Sequence, residues 1–221
     1  MPAPSSRPWA DKPFELIPSS TLGYKPGEKV APIHETAEEM IIIHNVLLRG
    51  INSIYLQCVN VQKAPKPAKG PSVTENFTHY ALQWGETIEE HHHIEETILF
   101  PGMAEAVGEP ELMAAEVGQH KAFHDGLDGY IAYLKAVIAK EQEYDGLKLR
   151  GIIDAFMPIL RQHLMDEIVT LKGLERFEGE KREKLIKTAK KLAAQIKEDA
   201  QKKSETKVCG PLRTWRVRKH C

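Results

Sequence analysis

Apolar residues recur every three or four positions through four long stretches of this chain, and no stretch of useful length alternates apolar with polar. The first, about 34–62, places Met40, Ile43, His44, Leu47, Ile51 and Ile54 on one stripe. The second, about 74–99, starts from Thr74 as N-cap, carries Ala81, Trp84, Ile88, His91, Glu95 and Ile98, and is expected to stop at Pro101-Gly102. Glu109-Pro110 opens the third, which runs to about 139 with Val117, His120, His124, Leu127, Ile131 and Leu134 in register. A turn at Tyr144-Asp145-Gly146 leads to the fourth, about 147–172, with Ile153, Phe156, Leu160, His163, Glu167 and Leu171 inward and Gly173 at the C′ position. Pro158 removes one backbone bond from that helix and predicts a kink before His163. Short connections make successive helices antiparallel neighbours. The pattern therefore predicts an all-α fold, an antiparallel up-down four-helix bundle with an extended N-terminal arm and an extra C-terminal helix.

The flanks divide by composition. Residues 1–33 form a Pro-rich arm in which Pro2, Pro4, Pro8, Pro13, Pro18, Pro26 and Pro32 are too dense for a helix. Trp9, Phe14, Leu16 and Ile17 give it apolar side chains to lay across the body. The bundle occupies 34–173, and a Lys/Glu-rich helix follows over 174–207, with a thin stripe of Leu185, Ala189, Leu192 and Ile196. That stripe reads as a fifth helix packed outside the bundle, or else as a membrane-surface or partner helix. Residues 208–221 are a basic tail containing Arg213, Trp215, Arg216, Arg218 and Lys219, read as a solvated terminus.

With 30 basic and 31 acidic residues the net charge is −1, which gives no whole-chain basis for binding nucleic acid. Cys58, Cys209 and Cys221 make no disulfide framework, and there is no N-terminal apolar signal segment, so a reducing, cytoplasmic setting is expected. The longest apolar runs, such as Met40–Ile43, are far too short to span a bilayer, which argues against integral membrane contact.

The chemistry lies on the inward stripes. His91 with Glu95, His120 with His124 and His163 with Glu167 are pairs four residues apart, about one helical turn, so each pair shares a face. His44 adds a lone imidazole on a fourth helix. A glutamate in a bundle core is costly unless a cation accompanies it, and no arginine or lysine lies on these stripes. Divalent metal removes that cost. Seven donors exceed the six of an octahedron, whereas a structural zinc site closes with four, so a dinuclear centre accounts for the set best. Imidazole with carboxylate suits iron, manganese or zinc. One register question stays open. His92 with Glu96 is also a pair four apart, about 100° further round the helix, on a stripe poorer in apolar anchors. His34, His79 and His220 lack a paired carboxylate and are read as surface groups.

The run from His91 to Pro101 (His-His-His-Ile-Glu-Glu-Thr-Ile-Leu-Phe-Pro), His120-Lys-Ala-Phe-His124, His163-Leu-Met-Asp-Glu167 and His44 on the first helix together resemble the hemerythrin-like group over about 34–172. The resemblance implies a non-haem di-iron centre that binds dioxygen or another small diatomic ligand. It further implies that His120, His124 and His163 hold one iron, that His44 and His91 hold the other beside an open position, and that Glu95 and Glu167 bridge the two. Oxygen-carrying members place an aspartate five residues after the last histidine, whereas Glu167 comes four after His163.

Three functions follow as expectations. The first is a module for dioxygen binding, redox or oxygen sensing, or iron handling, with a small pocket walled by Trp84, Phe123, Phe156 and Ile88. The second is a di-iron oxidase or oxygenase acting on a small metabolite in a larger cavity. The third is a metal-poor helical interaction module. A zinc protease is disfavoured, because Lys121 stands where the glutamate base of such a motif would be. The redox partner and oligomeric state are not legible.

Overall fold

The computed structural model describes residues 10–208 except Pro26 and Lys66, and side chains only as far as Lys202. Trp9, Cys209, Cys221, His220 and the basic tail lie outside the described residues. Six α-helices form among the described residues: α1 Glu35–Gln57, α2 Val73–Ile94, α3 Phe100–Val107, α4 Ala114–Ile138, α5 Gly146–Lys172 and α6 Gly179–Val208. No strand occurs among them. α1 packs on α2, α2 on α4, α4 on α5, and α5 closes on α1, so the four long helices make a ring in chain order. This is the four-helix bundle that the periodicity predicts, and its centre is filled by Leu48, Ile51, Ile88, Leu127, Ile153 and Leu160.

Local chemistry sets the helix ends. The N-cap of α2 is Ser72, two residues before the expected Thr74. Its hydroxyl accepts from the Glu75 N–H at 3.1 Å while its own N–H donates to the Glu75 carboxylate at 2.6 Å, so each end of this box satisfies the other. α5 starts from Asp145, whose carboxylate accepts from the N–H groups of Leu147 and Lys148. Gly146 is required there: a Cβ would lie 2.1 Å from the Cys58 carbonyl oxygen at the end of α1.

Three expected boundaries shift. The second helix does not stop at Pro101-Gly102. It passes through a π turn, Glu95–Leu99, into α3, and ends at Gly108 in the left-handed conformation. Pro101 falls in the first turn of α3, where a missing N–H is least costly. The third helix opens at Ala114, not at Glu109-Pro110, because Glu109–Met113 are spent in turns. Gly173 is right-handed and continues into a short 3-10 turn, Gly173–Arg176, so it is not a left-handed C′ residue. α5 stays helical through Pro158.

The flanks are tied to this frame. Asn52, fully buried on α1, accepts from the Phe14 N–H and donates to the Ala10 and Phe14 carbonyls, each at 2.9 Å. Asn45 holds Ile17 the same way, accepting from its N–H at 2.8 Å and donating to its carbonyl at 2.9 Å. Phe14 meets Tyr55 edge-on and Ile17 is buried. α6 packs on α3 through Leu185, Ala189 and Leu192, and Lys190 and Lys197 pair with Glu35 and Glu39 of α1. No described helix is long and apolar enough to cross a membrane.

Replacing Asn52 by alanine deletes three hydrogen bonds to the arm at about 1 kcal/mol each and strands the backbone groups they serve. Urea unfolding of Asn52→Ala should show a loss of about 2–4 kcal/mol, with faster proteolysis near residue 14. A loss below about 0.5 kcal/mol would remove the arm from the folded unit.

Candidate metal centre

All four bundle helices deliver donors to one interior point. α1 gives His44, α2 gives His91 and His92, the π turn gives Glu95, α4 gives His120, and α5 gives His163 and Glu167. These sort into two groups of four whose donor atoms lie within 4.8 Å of one another: His92, Glu95, His120 and His163, and His44, His91, Glu95 and Glu167. Glu95 belongs to both, so its two oxygens can face two ions.

Hydrogen bonds on the far side of each ring decide which nitrogen faces inward. His120 Nδ1–H donates to the Glu96 carboxylate at 2.5 Å. His163 Nδ1–H donates to Gln119 Oε1 at 3.1 Å, and the Gln119 amide is oriented by its Nε2 reaching Asp166 at 3.5 Å. His44 Nδ1–H donates to the Leu164 carbonyl at 2.9 Å. Carboxylate, amide and carbonyl oxygens only accept, so each ring carries its proton on Nδ1 and turns the Nε2 lone pair to the centre. His120 Nε2 then stands 3.0 Å from His163 Nε2, two acceptors face to face. His44 Nε2 stands 3.2 Å from a Glu167 oxygen, and His91 Nε2 is 2.9 Å from Glu95 Oε1. The carboxylate oxygens of Glu95 and Glu167 and both nitrogens of His92 find no hydrogen-bond partner, despite these short separations.

Electrostatics sharpen the conflict. Burial first, then the neighbouring His120, pushes His163 down to about 2. Burial also lowers His44, His91, His92 and His120, so the imidazoles are neutral near pH 7. Glu167 is pushed up to about 7 by burial, and Glu95 is raised well above the carboxylate range by burial and then by the Glu167 charge. Lone pairs and carboxylates crowded together without hydrogen-bond partners are an environment that a cation resolves. Nitrogen and oxygen donors of this kind suit iron, manganese or zinc.

Six of the seven residues expected from the sequence meet here: His44, His91, Glu95, His120, His163 and Glu167. His124 does not. Its side chain is 47 % exposed and lies 3.9 Å from Asp128. The buried face of α4 runs Glu116, His120, Phe123, Leu127, Tyr130, so the position one turn beyond His120 that faces the core is Phe123. His92 stands in the donor group in its place, its ring centroid 4.4 Å from that of His120 and 5.0 Å from that of Phe123. The open register choice thus resolves to both histidines. α2 packs against α1 on one side and α4 on the other, and His91 and His92 each serve one side. Two acidic residues take supporting places, Glu96, weighed from the sequence only as a partner of His92, and Glu116, which was missed. Glu96 backs His120, and the buried Glu116 lies 3.7 Å from His163 Nδ1 while accepting from the Thr170 hydroxyl. Glu116 lies four residues before His120, the same spacing that marked the other pairs. His34 is also not a surface group: it is buried, and its Nδ1 pairs with the Tyr24 hydroxyl at 2.8 Å.

The model of the hemerythrin HHE cation-binding domain matches residues 37–174, the whole of the ring and its donors. The chain belongs to this family. A curated relative, the dimeric xanthone biosynthesis cluster protein R11 of Cryptosporiopsis sp. (strain 8999), is 35 % identical over 144 residues, which are 65 % of this chain and 52 % of that protein. The chain therefore spans about half the length of that relative. No solved structure matches it. Membership of a cation-binding family agrees with the donor set: this hemerythrin-like domain has His and Glu groups able to hold metal.

Two measurements test the site. Elemental analysis should show that His124→Ala keeps its metal while His92→Ala loses at least half, the reverse of what helical spacing alone predicts. The second is pH. Without metal, folded Glu167 and Glu95 hold protons more tightly than the unfolded chain does, so that stabilisation is full below about pH 4.5 and is lost as pH rises through about 7. The lowered histidines oppose folding only below about pH 6.5, where the unfolded chain takes up protons. Five lowered histidines outnumber the two raised carboxylates below about pH 6.5, so the chelator-stripped protein should melt at a lower temperature at pH 5 than at pH 7, and added metal should stabilise it more at pH 7 than at pH 5. A flat melting profile in chelator would contradict this.

Proposed function

We propose that this protein binds dioxygen, or another diatomic ligand, at a dinuclear non-haem iron centre, and serves oxygen sensing, redox chemistry or iron handling. The observation that carries the reading is the 3.0 Å approach of His120 Nε2 to His163 Nε2, each ring holding its proton on the opposite nitrogen. A shared cation turns that repulsion into coordination.

Iron would supply electrons to dioxygen, which imidazole and carboxylate cannot do. The chain's own groups bind, orient and exclude. Glu95 is placed to span two ions, with one oxygen 2.9 Å from His91 and the other 3.8 Å from His120. Trp84, Ile88, Phe123 and Phe156, expected as walls, are all buried, and the Phe123 ring packs 5.0 Å from His92 and 5.4 Å from His163. The Trp84 indole is fixed by donating to the Leu47 carbonyl at 2.9 Å. Rings packed this closely favour a ligand of two atoms over a large substrate. Five neutral imidazoles against two carboxylates keep the donor set poor in charge, which favours reversible binding over strongly oxidising chemistry. A cytoplasmic setting is part of the reading, and the free buried thiol of Cys58 is compatible with it.

A second reading, a di-iron oxidase or oxygenase of a small metabolite, draws support from the relative named for a xanthone biosynthesis cluster. The two separate on one experiment. Iron-loaded protein reduced under anaerobic conditions and exposed to oxygen should change its visible spectrum and recover it on evacuation. Irreversible bleaching overturns reversible binding, and oxygen consumption coupled to oxidation of an added aromatic metabolite selects the second reading. Protein that retains no iron under reducing purification excludes both.

A further inference from the structure

The two ends of the centre are backed differently. At the end formed by His92, His120 and His163, the supporting groups are acidic. His120 Nδ1–H donates to the Glu96 carboxylate at 2.5 Å. Behind His163, Glu116 brings one oxygen to 3.7 Å of Nδ1, and its other oxygen is fixed by the Thr170 hydroxyl at 2.5 Å. Gln119 makes the closer bond to that nitrogen, at 3.1 Å. At the other end His44 Nδ1–H meets only the neutral Leu164 carbonyl, at 2.9 Å.

A carboxylate that accepts the Nδ1 proton draws positive charge onto the ring and makes Nε2 a stronger donor, while its negative charge offsets that of the ion beyond. A backbone carbonyl supplies orientation with far less charge. Glu116 is itself buried, on the inner face of α4, where a carboxylate is costly unless it is hydrogen-bonded or positive charge is close by. Among the described residues its only ion-pair neighbour is His163, and no lysine or arginine reaches it, so a metal held beyond His163 would be its nearest positive charge.

The geometry points to Glu96 and Glu116 as positioning residues that make the His92/His120/His163 position the tighter of two inequivalent metal positions, filled first and released last, with the His44/His91 position labile. The inference rests on the dinuclear reading above and goes beyond it by ordering the two ions.

Chelator-stripped full-length protein titrated anaerobically with cobalt(II), followed by its visible absorption, tests the order. Wild type should bind two equivalents in sequence, the first at least about tenfold tighter. Glu96→Gln keeps an oxygen that can accept from His120 and removes only the charge. Because Glu96 is partly exposed, the variant should fold. It should weaken the first constant by about 10- to 100-fold and leave the second within about threefold. Glu116→Gln, which retains an acceptor for Thr170, should act on the same constant. His44→Ala should lose the second equivalent and keep the first. A purely structural Glu96 would move the melting temperature and neither binding constant, and that result overturns the proposal. So does loss of the tight equivalent in His44→Ala, or two equal constants in wild type. Uptake of fewer than two equivalents by wild type is a different failure, because it removes the dinuclear reading itself.

Discussion

Two imidazole nitrogens that can only accept stand 3.0 Å apart at the centre of this bundle, and the surrounding structure keeps them there. A neutral pair in that orientation repels, and the rings cannot relieve it by turning. His120 is held from behind by Glu96 and His163 by Gln119, so rotating either ring would break a partly buried hydrogen bond. Protonating one ring would cure the contact, yet burial drives both in the opposite direction. Glu95 and Glu167 add oxygens without donors to the same small volume. An interior arranged this way is intelligible as a socket for cations and costly as anything else.

The bundle provides rigidity by tying each helix to the next at levels away from the socket. Trp84 of α2 donates to the backbone of α1, and Tyr130 of α4 donates to the Ala81 carbonyl of α2 at 2.8 Å. Tyr130 meets both Trp84 and Phe156 edge to face, which ties α4 to α2 and α5 two turns before His91 and His163. The π turn does related work along α2. The Phe100 N–H reaches the Glu95 carbonyl, five residues back, so the helix widens at the residues that supply one donor, Glu95, and one backing group, Glu96.

The four bundle helices, their order and approximate extent were legible in the sequence, because a 3.6-residue apolar period depends only on which side faces the core, while α3 was not foreseen. The site was legible where a titratable residue sat squarely on such a stripe, as His44, Glu95, His163 and Glu167 do. It failed where one residue of rotation decided the matter. His124 and Phe123 are adjacent on α4, and spacing favoured the histidine, yet the ring with no polar atom to solvate took the buried place. His92 was readable only as a competitor of His91, since one stripe per helix was assumed and α2 buries two. Nothing between Ile94 and Leu99 announces a π turn, and without it Pro101 reads as a stop. Asn45 and Asn52 gave no signal either. Asparagine on a helix facing an arm acts through backbone groups that no side-chain pattern records.

The exchange of His124 for His92 changes the mechanics of the centre as well as its membership. α2 and its π turn now supply His91, His92 and Glu95, and each group of four contains donors from this one continuous segment. α1 supplies a single donor, His44, to one group, and α4 a single donor, His120, to the other. A displacement of α2 would therefore disturb both positions together, whereas a displacement of α1 would reach only the His44 position. α1 is also the helix that the N-terminal arm grips: Asn45, next to His44 in the chain, holds both backbone groups of Ile17, and Asn52 holds Phe14 two turns further on. The strap thus fixes the outer face of a helix whose inner face contributes a single donor. Holding α1 from outside steadies the helix that carries His44, the histidine whose Nδ1–H meets a backbone carbonyl and no carboxylate.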